Sequence, residues 1–148
     1  MNLKKMLTQK SIIPELQSGS KEEVIRQMID ALADTGKITD RDTALQAVLD
    51  REAKMSTGMQ NGIAIPHGKT DSVDSLLVAI AISKEGIDFA AMDEQPCHIF
   101  IMTLSPQNRA GPHIQFLAEI SKLLGQPGLR DQLIAANGTD QILALLTA

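Results

Sequence analysis

Apolar residues recur at helical spacing in two stretches near the N-terminus. Over residues 21–35 they fall on one face, which predicts a helix. Ser20 followed by Glu23 matches a capping box at its start. A second helix is predicted over residues 40–53, with Thr39 as its N-cap. The short connection between the two stretches indicates that these helices are neighbours.

The middle of the chain carries short, nearly continuous apolar runs instead. Residues 54–62 contain glycine and asparagine and predict a loop. The segment "IAIP" (63–66) then predicts a short strand that ends at Pro66. The runs "LLVAIAI" (76–82) and "HIFIMTL" (98–104) are typical of strands buried on both faces.

Helical patterns return in the last third of the chain. They predict helices from about 112 to 124, from 128 to 136 and from 139 to 147, with Gly125 ending the first of them. Helices first, strands in the middle and helices last predict a single α/β domain over residues 1–148, with a mixed parallel and antiparallel sheet between helical layers.

Composition narrows the classes of function. The chain has a net charge of −4, no basic tract and no Trp or Tyr, so nucleic acid is not an expected partner. Its apolar runs are far shorter than the ~20 residues that cross a bilayer, and no signal peptide pattern is present. A single cysteine excludes an internal disulfide. We therefore expect a cytoplasmic protein without direct membrane insertion.

The three histidines are the candidates for chemistry. His98 and Cys97 are neighbours on a predicted strand, so their side chains diverge, which favours a core thiol over a nucleophile pair. His67 follows Pro66 where the chain turns into "GKTDS", and the pattern alone fits a solvated turn histidine as well as a functional one. His113 lies in the first turn of a helix and shares its apolar face; by spacing alone, a core-edge histidine is favoured over a functional one. No His or Cys pair has a metal-binding spacing such as HxxxH or CxxC, so no metal site is predicted.

Residues 51–69, "REAKMSTGMQNGIAIPHGK", resemble the active-site signature of the IIA domains of the bacterial phosphoenolpyruvate-dependent sugar phosphotransferase system, in the fructose–mannitol–nitrogen (type 2) group. The shared pattern is an Arg-Glu pair, a loop with Thr-Gly, and then Gly-Ile-Ala-Ile-Pro-His. The similarity extends from "LTQKSIIPEL" through "PHIQFLAEISKLL" to "GTDQILALL". The resemblance implies the fold of this group, a mixed sheet of about five strands flanked by helices.

The resemblance also implies a phosphoryl carrier that needs no cofactor. His67 would be the phosphorylated residue, through Nε2, with His113 standing beside it and Arg51 binding phosphoryl oxygens. A neutral imidazole suits the nucleophile, because only the unprotonated nitrogen attacks. Further motif residues are expected to bind the phosphoryl group or support the site: Ser56, Thr57, Gly58 and Glu52. Glu52 would either hold Arg51 or, as we favour, form part of a solvated helix end.

The implied partners are a histidine phosphocarrier protein upstream and a second protein downstream. In the nitrogen-regulatory type, the phosphorylation state of His67 would decide which target docks. In the alternative, a fructose- or mannitol-type sugar transport system, the phosphoryl group would pass to a IIB domain. The chain shows no fused IIB, carrier or permease segment, and residues 58–62 resemble the nitrogen type somewhat more. These features favour regulation.

Overall fold

The computed structural model describes residues 3–17 and 19–147. Among these residues, six α-helices are found: α1 (Leu3–Met6), α2 (Lys21–Ala33), α3 (Arg41–Lys54), α4 (Ala110–Leu124), α5 (Leu129–Ala135) and α6 (Thr139–Thr147). A 3-10 turn spans Gln9–Ser11. The strands are β1 (Ile12–Ile13), β2 (Ile63–Ala64), β3 (His67–Lys69), β4 (Leu77–Ile87) and β5 (Cys97–Ser105).

These five strands form one mixed sheet. β4 and β5 are antiparallel neighbours at its centre. β1 pairs parallel to the free side of β4, and both β2 and β3 pair parallel to the free side of β5. The predicted α/β class with a mixed sheet is therefore confirmed. β4 runs beyond the predicted apolar stretch, through an irregularity after Ile82, to Ile87.

Both faces of the central strands are buried, as their apolar runs predict. Phe100, Met102 and Leu104 of β5 belong to a core shared with α2 and α3. Ile99 and Ile101, which alternate with them, belong to a second core shared with α4, α5 and α6. The sheet is thus the middle layer between two helical layers, and successive side chains from Ile99 to Met102 pack alternately into one core and the other.

β2 and β3 follow one another along the same edge of β5 and are separated only by Ile65 and Pro66. Ile63 lies opposite Ile99, and His67 lies opposite Thr103, four residues further along on both strands. The register is therefore unchanged across the interruption. The Thr103 amide also donates to the Pro66 carbonyl at 3.2 Å. A proline is tolerated here because an edge strand leaves one N–H direction unpaired.

This arrangement corrects the expectation that the strand ends at Pro66. His67 does not lie in a turn: it opens β3, which continues to Lys69.

Ser20 is confirmed as the N-cap of α2, and the predicted N-cap of α3 is wrong. Ser20 accepts from the Glu23 amide at 3.1 Å. The N-cap of α3 is Asp40, whose carboxylate accepts from the Thr43 amide, and not Thr39. Thr39 instead donates from its amide and its hydroxyl to a single distant carbonyl, at Ser72.

The predicted start of the helix before the C-terminal pair also needs correction. α4 begins at Ala110, two residues ahead of the expected position at Pro112. His113 is the fourth residue of the helix and still lies in its first turn. Phe116, Ile120 and Leu124 are the buried residues of α4, and Leu117 is only half-buried.

Gly68 fixes how closely β3 lies against α3. Along β3 the side chains alternate, so when His67 faces the α4 layer, position 68 faces α3. A Cβ atom on Gly68 would lie 3.0 Å from the Val48 amide nitrogen and 3.1 Å from the Ala47 carbonyl carbon. These are backbone atoms of a helix and cannot rotate away. Glycine therefore allows the observed close contact, which a side chain would widen by a few tenths of an ångström.

We expect Gly68→Ala to lower the free energy of unfolding by about 1–3 kcal/mol, because the added methyl forces β3 away from α3. The measurement is urea unfolding of the variant and the wild type. Gly111→Ala is the matched control, since nothing lies within 4 Å of its Cβ position. Equal stability of Gly68→Ala and wild type would contradict the packing described here.

Candidate active site

The position of the His67 ring is set by its own backbone neighbourhood. Its Nδ1 lies 3.0 Å from the Ile65 carbonyl oxygen. A carbonyl oxygen can only accept, so Nδ1 carries the proton and donates. The lone pair of the neutral ring is therefore on Nε2. The register with Thr103 turns this half-buried ring toward the layer that contains α4.

His113 reaches the same side of the sheet from the first turn of α4. Its Nδ1 lies 2.9 Å from the hydroxyl oxygen of Thr103, a residue that is 1% exposed. The two imidazole rings are 5.1 Å apart between centroids and tilted by 36°. The structure thus brings His67 and His113 together across the end of the sheet, although 46 positions separate them in the chain (113 − 67).

The surroundings of His113 favour its neutral form. Burial lowers the pKa of His113 below its ordinary value, and the nearby His67 and Lys69 lower it further. A neutral imidazole here presents one N–H and one lone pair. It can donate a hydrogen bond without adding a cation beside His67.

Arg51 lies in the last turn of α3. Its Nη1 donates to the Met55 carbonyl at 2.9 Å, which caps the C-terminal end of that helix. In this conformation the described hydrogen bond of Arg51 is to backbone and not to a histidine. A guanidinium has five N–H donors, so this bond leaves the others for a ligand.

Glu52 is buried, at 7% exposure, so the favoured solvated helix end is wrong. Its carboxylate accepts hydrogen bonds from both the amide and the hydroxyl of Thr57. It also forms an ion pair with Lys21 at 3.0 Å. The Lys21 ammonium lies 4.9 Å from the centre of the Phe89 ring. Glu52 therefore connects the loop after α3 to the start of α2. Arg51 does not take part in this network and donates to the Met55 carbonyl instead.

The loop of residues 55–62 is held by hydrogen bonds within itself and to Glu52 and Phe89. The Thr57 amide donates to Glu52, and the Gly58 amide donates to the Ser56 hydroxyl oxygen at 3.0 Å. Ser56 in turn donates to the Phe89 carbonyl. The Thr57 and Gly58 amides are thus already used, which argues against a phosphoryl-binding role for them.

Gly58 has a further packing role. A Cβ atom there would lie 2.8 Å from the Ala91 Cα. Close contact with residues 88–96 is therefore possible only with glycine. The Met92 amide donates to the Gly58 carbonyl across the same contact.

His98 and Cys97 occupy separate environments, as the strand alternation predicts. Cys97 is fully buried in the core shared with α2 and α3, and burial together with Asp93 and Asp88 raises the pKa of its thiol to about 11. His98 bonds through Nδ1 to the Ser83 carbonyl at 2.9 Å. The thiol is protonated at neutral pH, so this pair is not a nucleophile.

Within residues 3–17 and 19–147, no group of three or more His, Cys, Asp or Glu side chains could hold a metal ion. In the same ranges no helix is long and apolar enough to cross a membrane.

The sequence profile of one protein family, the EIIA 2 proteins of the phosphoenolpyruvate-dependent sugar phosphotransferase system, matches residues 5–148. The chain belongs to this family. The predicted family is confirmed, and with it a part in phosphoryl transfer within the phosphotransferase system. The relatives of this IIA protein include fructose-specific phosphotransferase components and nitrogen regulatory proteins.

Two of those relatives are fructose-specific. The EIIA component of Haloferax volcanii is 40% identical over 127 residues, which cover 86% of this chain and 82% of that protein. The EIIABC component of Bacillus subtilis is 36% identical over 146 residues, which cover 99% of this chain but 23% of that protein. A nitrogen regulatory protein of Bradyrhizobium diazoefficiens is 27% identical over 146 residues, covering 99% and 95%.

Solved structures share the fold. The nitrogen regulatory protein IIA-Ntr of Neisseria meningitidis superposes with a TM-score of 0.84 at 24% identity, covering 98% of this chain and 99% of that one. The Escherichia coli IIA mannitol enzyme, solved in complex with phosphorylated enzyme IIB mannitol, superposes with a TM-score of 0.82 at 26% identity, covering 95% and 96%. The predicted IIA fold is therefore confirmed.

Three residues near the site were not singled out from the sequence. Thr103 holds His113, Lys69 lies close enough to affect the pKa of His113, and Lys21 pairs with Glu52. Lys69 lies on the same face as His67 by strand alternation, but β3 itself is too short to be predicted, so this alternation gave no signal. Thr103 and Lys21 had no signal, since their contacts join distant parts of the chain.

We expect Glu52→Gln to lower the free energy of unfolding by about 1–3 kcal/mol, because it removes a buried ion pair and leaves Lys21 and Thr57 incompletely bonded. Urea unfolding measures the change. Glu85→Gln on exposed β4 surface is the control, with a change within about 0.5 kcal/mol. Similar changes in both variants would show that Glu52 is not the anchor of the loop.

The lowered pKa of His113 predicts a pH dependence of stability. Below about pH 6.5 the unfolded chain takes up a proton at His113 that the folded chain resists, so the free energy of unfolding falls as the pH drops toward the folded pKa. NMR titration should place the folded pKa below 6.5. His113→Gln should lose less stability than wild type between pH 7 and 5, and parallel stability curves would contradict the shift.

Proposed function

We propose that this IIA protein accepts a phosphoryl group on Nε2 of His67 from the phosphohistidine of a histidine phosphocarrier protein. The observation that supports it is the hydrogen bond from Nδ1 to the Ile65 carbonyl, which leaves the lone pair on Nε2 of a ring whose centroid lies 5.1 Å from that of His113. A nitrogen–phosphorus bond forms at Nε2 as the donor's nitrogen–phosphorus bond breaks. Nδ1 keeps its proton throughout, so no general base is required.

Charge stabilisation falls to two neighbours. His113 is proposed to donate from Nε2–H to a phosphoryl oxygen, and Arg51 to supply the guanidinium N–H groups that Met55 does not use. Such a transfer asks the protein mainly for positioning and stabilisation of the spread negative charge. The network around Glu52 contributes indirectly, by holding the loop next to β2.

Exposed apolar residues support docking of protein partners at this edge. The exposed large hydrophobic residues among those described are Met55, Met59, Met92 and Ile114. Ile114 follows His113 directly, and Met59 and Met92 line one hollow with Ile65, whose carbonyl orients His67. Flexible, polarisable methionine suits surfaces that bind more than one partner. A phosphocarrier has to dock a donor and an acceptor at the same place.

Two downstream roles follow from one phosphohistidine. In the regulatory role, the added charge of about −2 at His67 changes which target protein docks; the nitrogen regulatory relatives support it. In the transport role, the phosphoryl group passes to a IIB domain. The higher identity to fructose-specific proteins and the mannitol IIA–IIB complex of a similar fold support that second candidate. Both roles would be performed in the cytoplasm, where we propose that the protein acts.

Incubation with phosphoenolpyruvate, the general phosphotransferase enzyme and its histidine carrier should place one acid-labile phosphate on His67, mapped by mass spectrometry. His67→Gln should take none, and His98→Gln should be labelled as wild type. Arg51→Ala and His113→Ala should remain folded but lose roughly 30- to 900-fold in rate, which corresponds to about 2–4 kcal/mol of transition-state stabilisation each.

Label on another residue, or none, would overturn the proposal. Normal rates in both alanine variants would refute the roles of Arg51 and His113 alone. A fructose- or mannitol-type IIB domain, added after labelling, separates the two downstream roles. Rapid passage of label to it supports transport, and stable label on His67 supports regulation.

A further inference from the structure

Thr103 contacts both halves of the candidate site from the central strand β5. Its backbone amide donates to the carbonyl of Pro66, the residue before His67. Its hydroxyl oxygen lies 2.9 Å from Nδ1 of His113. The side chain is 1% exposed, so water does not compete for these bonds. Thr103 therefore binds His113 through its hydroxyl and the residue before His67 through its amide, from a fixed point of the sheet.

The direction of the Thr103–His113 hydrogen bond follows from counting partners. Among the described hydrogen bonds, the Thr103 hydroxyl has His113 Nδ1 as its partner. If Nδ1 were the donor, the hydroxyl proton would be buried without an acceptor, which is costly. If the hydroxyl donates, both groups are satisfied, and Nδ1 holds the lone pair. The proton of the neutral His113 ring is then on Nε2.

We propose that Thr103 is a positioning residue that fixes His113 as its Nε2–H tautomer. The two imidazole rings are then held in opposite tautomers, each by a different hydrogen-bond partner. The Ile65 carbonyl accepts a hydrogen bond from Nδ1–H of His67 and leaves the Nε2 lone pair as a nucleophile. The Thr103 hydroxyl donates a hydrogen bond to Nδ1 of His113 and leaves Nε2–H as a donor.

The functional consequence rests on the proposed phosphorylation of His67. A single Nε2–H tautomer of His113 is ready to donate to a phosphoryl oxygen without a ring flip or a proton exchange. Without the hydroxyl, the His113 ring can rotate or populate the other tautomer. In a fraction of the molecules the ring then presents a lone pair, not an N–H, to the phosphoryl oxygen. Removing the hydroxyl should slow transfer without changing which residue is labelled.

The test compares Thr103→Val, which keeps the shape and removes the hydroxyl, with Thr103→Ser, which keeps the hydroxyl. In ¹⁵N spectra of histidine-labelled wild type, we expect an acceptor-type Nδ1 and a protonated Nε2 at His113. In Thr103→Val the Nδ1 resonance should move toward that of an acceptor without a hydrogen bond, and phosphorylation should slow by about five- to tenfold. Thr103→Ser should keep the wild-type spectrum and a rate within twofold.

Thr35→Val is the matched control, because it removes a hydroxyl bonded to the Leu32 carbonyl away from the histidines. It should change neither the His113 spectrum nor the rate. A protonated Nδ1 at His113 in wild type would overturn the proposal without any variant. So would an unchanged Nδ1 resonance in folded Thr103→Val. Absence of phosphate on wild-type His67 would instead overturn the proposed function, since the spectra need no phosphate.

Discussion

The site depends on an edge strand that is interrupted at Pro66 and still keeps its register along β5. Because β2 and β3 pair with β5 in one register, His67 lies opposite Thr103 and not one position away. A shift by one residue would turn the imidazole toward α3 and place glycine on the α4 side. The Pro66 carbonyl, bonded to the Thr103 amide, continues the pairing across the interruption.

The same register gives the two imidazoles different hydrogen-bond partners. The burial that lowers the pKa of His113 comes from its position against the sheet, where the only polar partner within the described hydrogen bonds of its ring is Thr103. His67 meets a backbone carbonyl instead. A carbonyl can only accept, whereas a hydroxyl can donate. Two chemically identical side chains thereby present a lone pair and an N–H within one site.

The sequence predicted those features that local pattern decides. The apolar stripes of α2 and α3 and the long runs of β4 and β5 are strong signals, and the histidine pair followed from the family motif. β3 was missed because three residues, one of them glycine, carry no usable alternation. Thr39 and Asp40 are adjacent and both suit an N-cap, and the choice depends on the Ser72 carbonyl, far along the chain.

The burial of Glu52 could not be predicted from its neighbours in the sequence. At the end of an amphipathic helix, next to Arg51, an acidic residue is normally solvated. It is buried because Lys21 and Thr57 close over it, and both contacts come from other elements of the fold. Consecutive residues on a helix point about 100° apart, which follows from 3.6 residues per turn. Arg51 and Glu52 can therefore serve different purposes, one available to a ligand and the other structural.

The motif from Arg51 to Lys69 is thereby anchored on α3 at two points. Glu52 holds the start of the loop through Thr57, and Gly68 lies against the backbone of Ala47 and Val48 just after His67. A segment fixed at both ends on one helix has little freedom to rearrange when a phosphoryl group is added between them. Under the proposed function, the signal that partners detect is then the new charge on a preformed surface, because the backbone that presents His67 is already held in place.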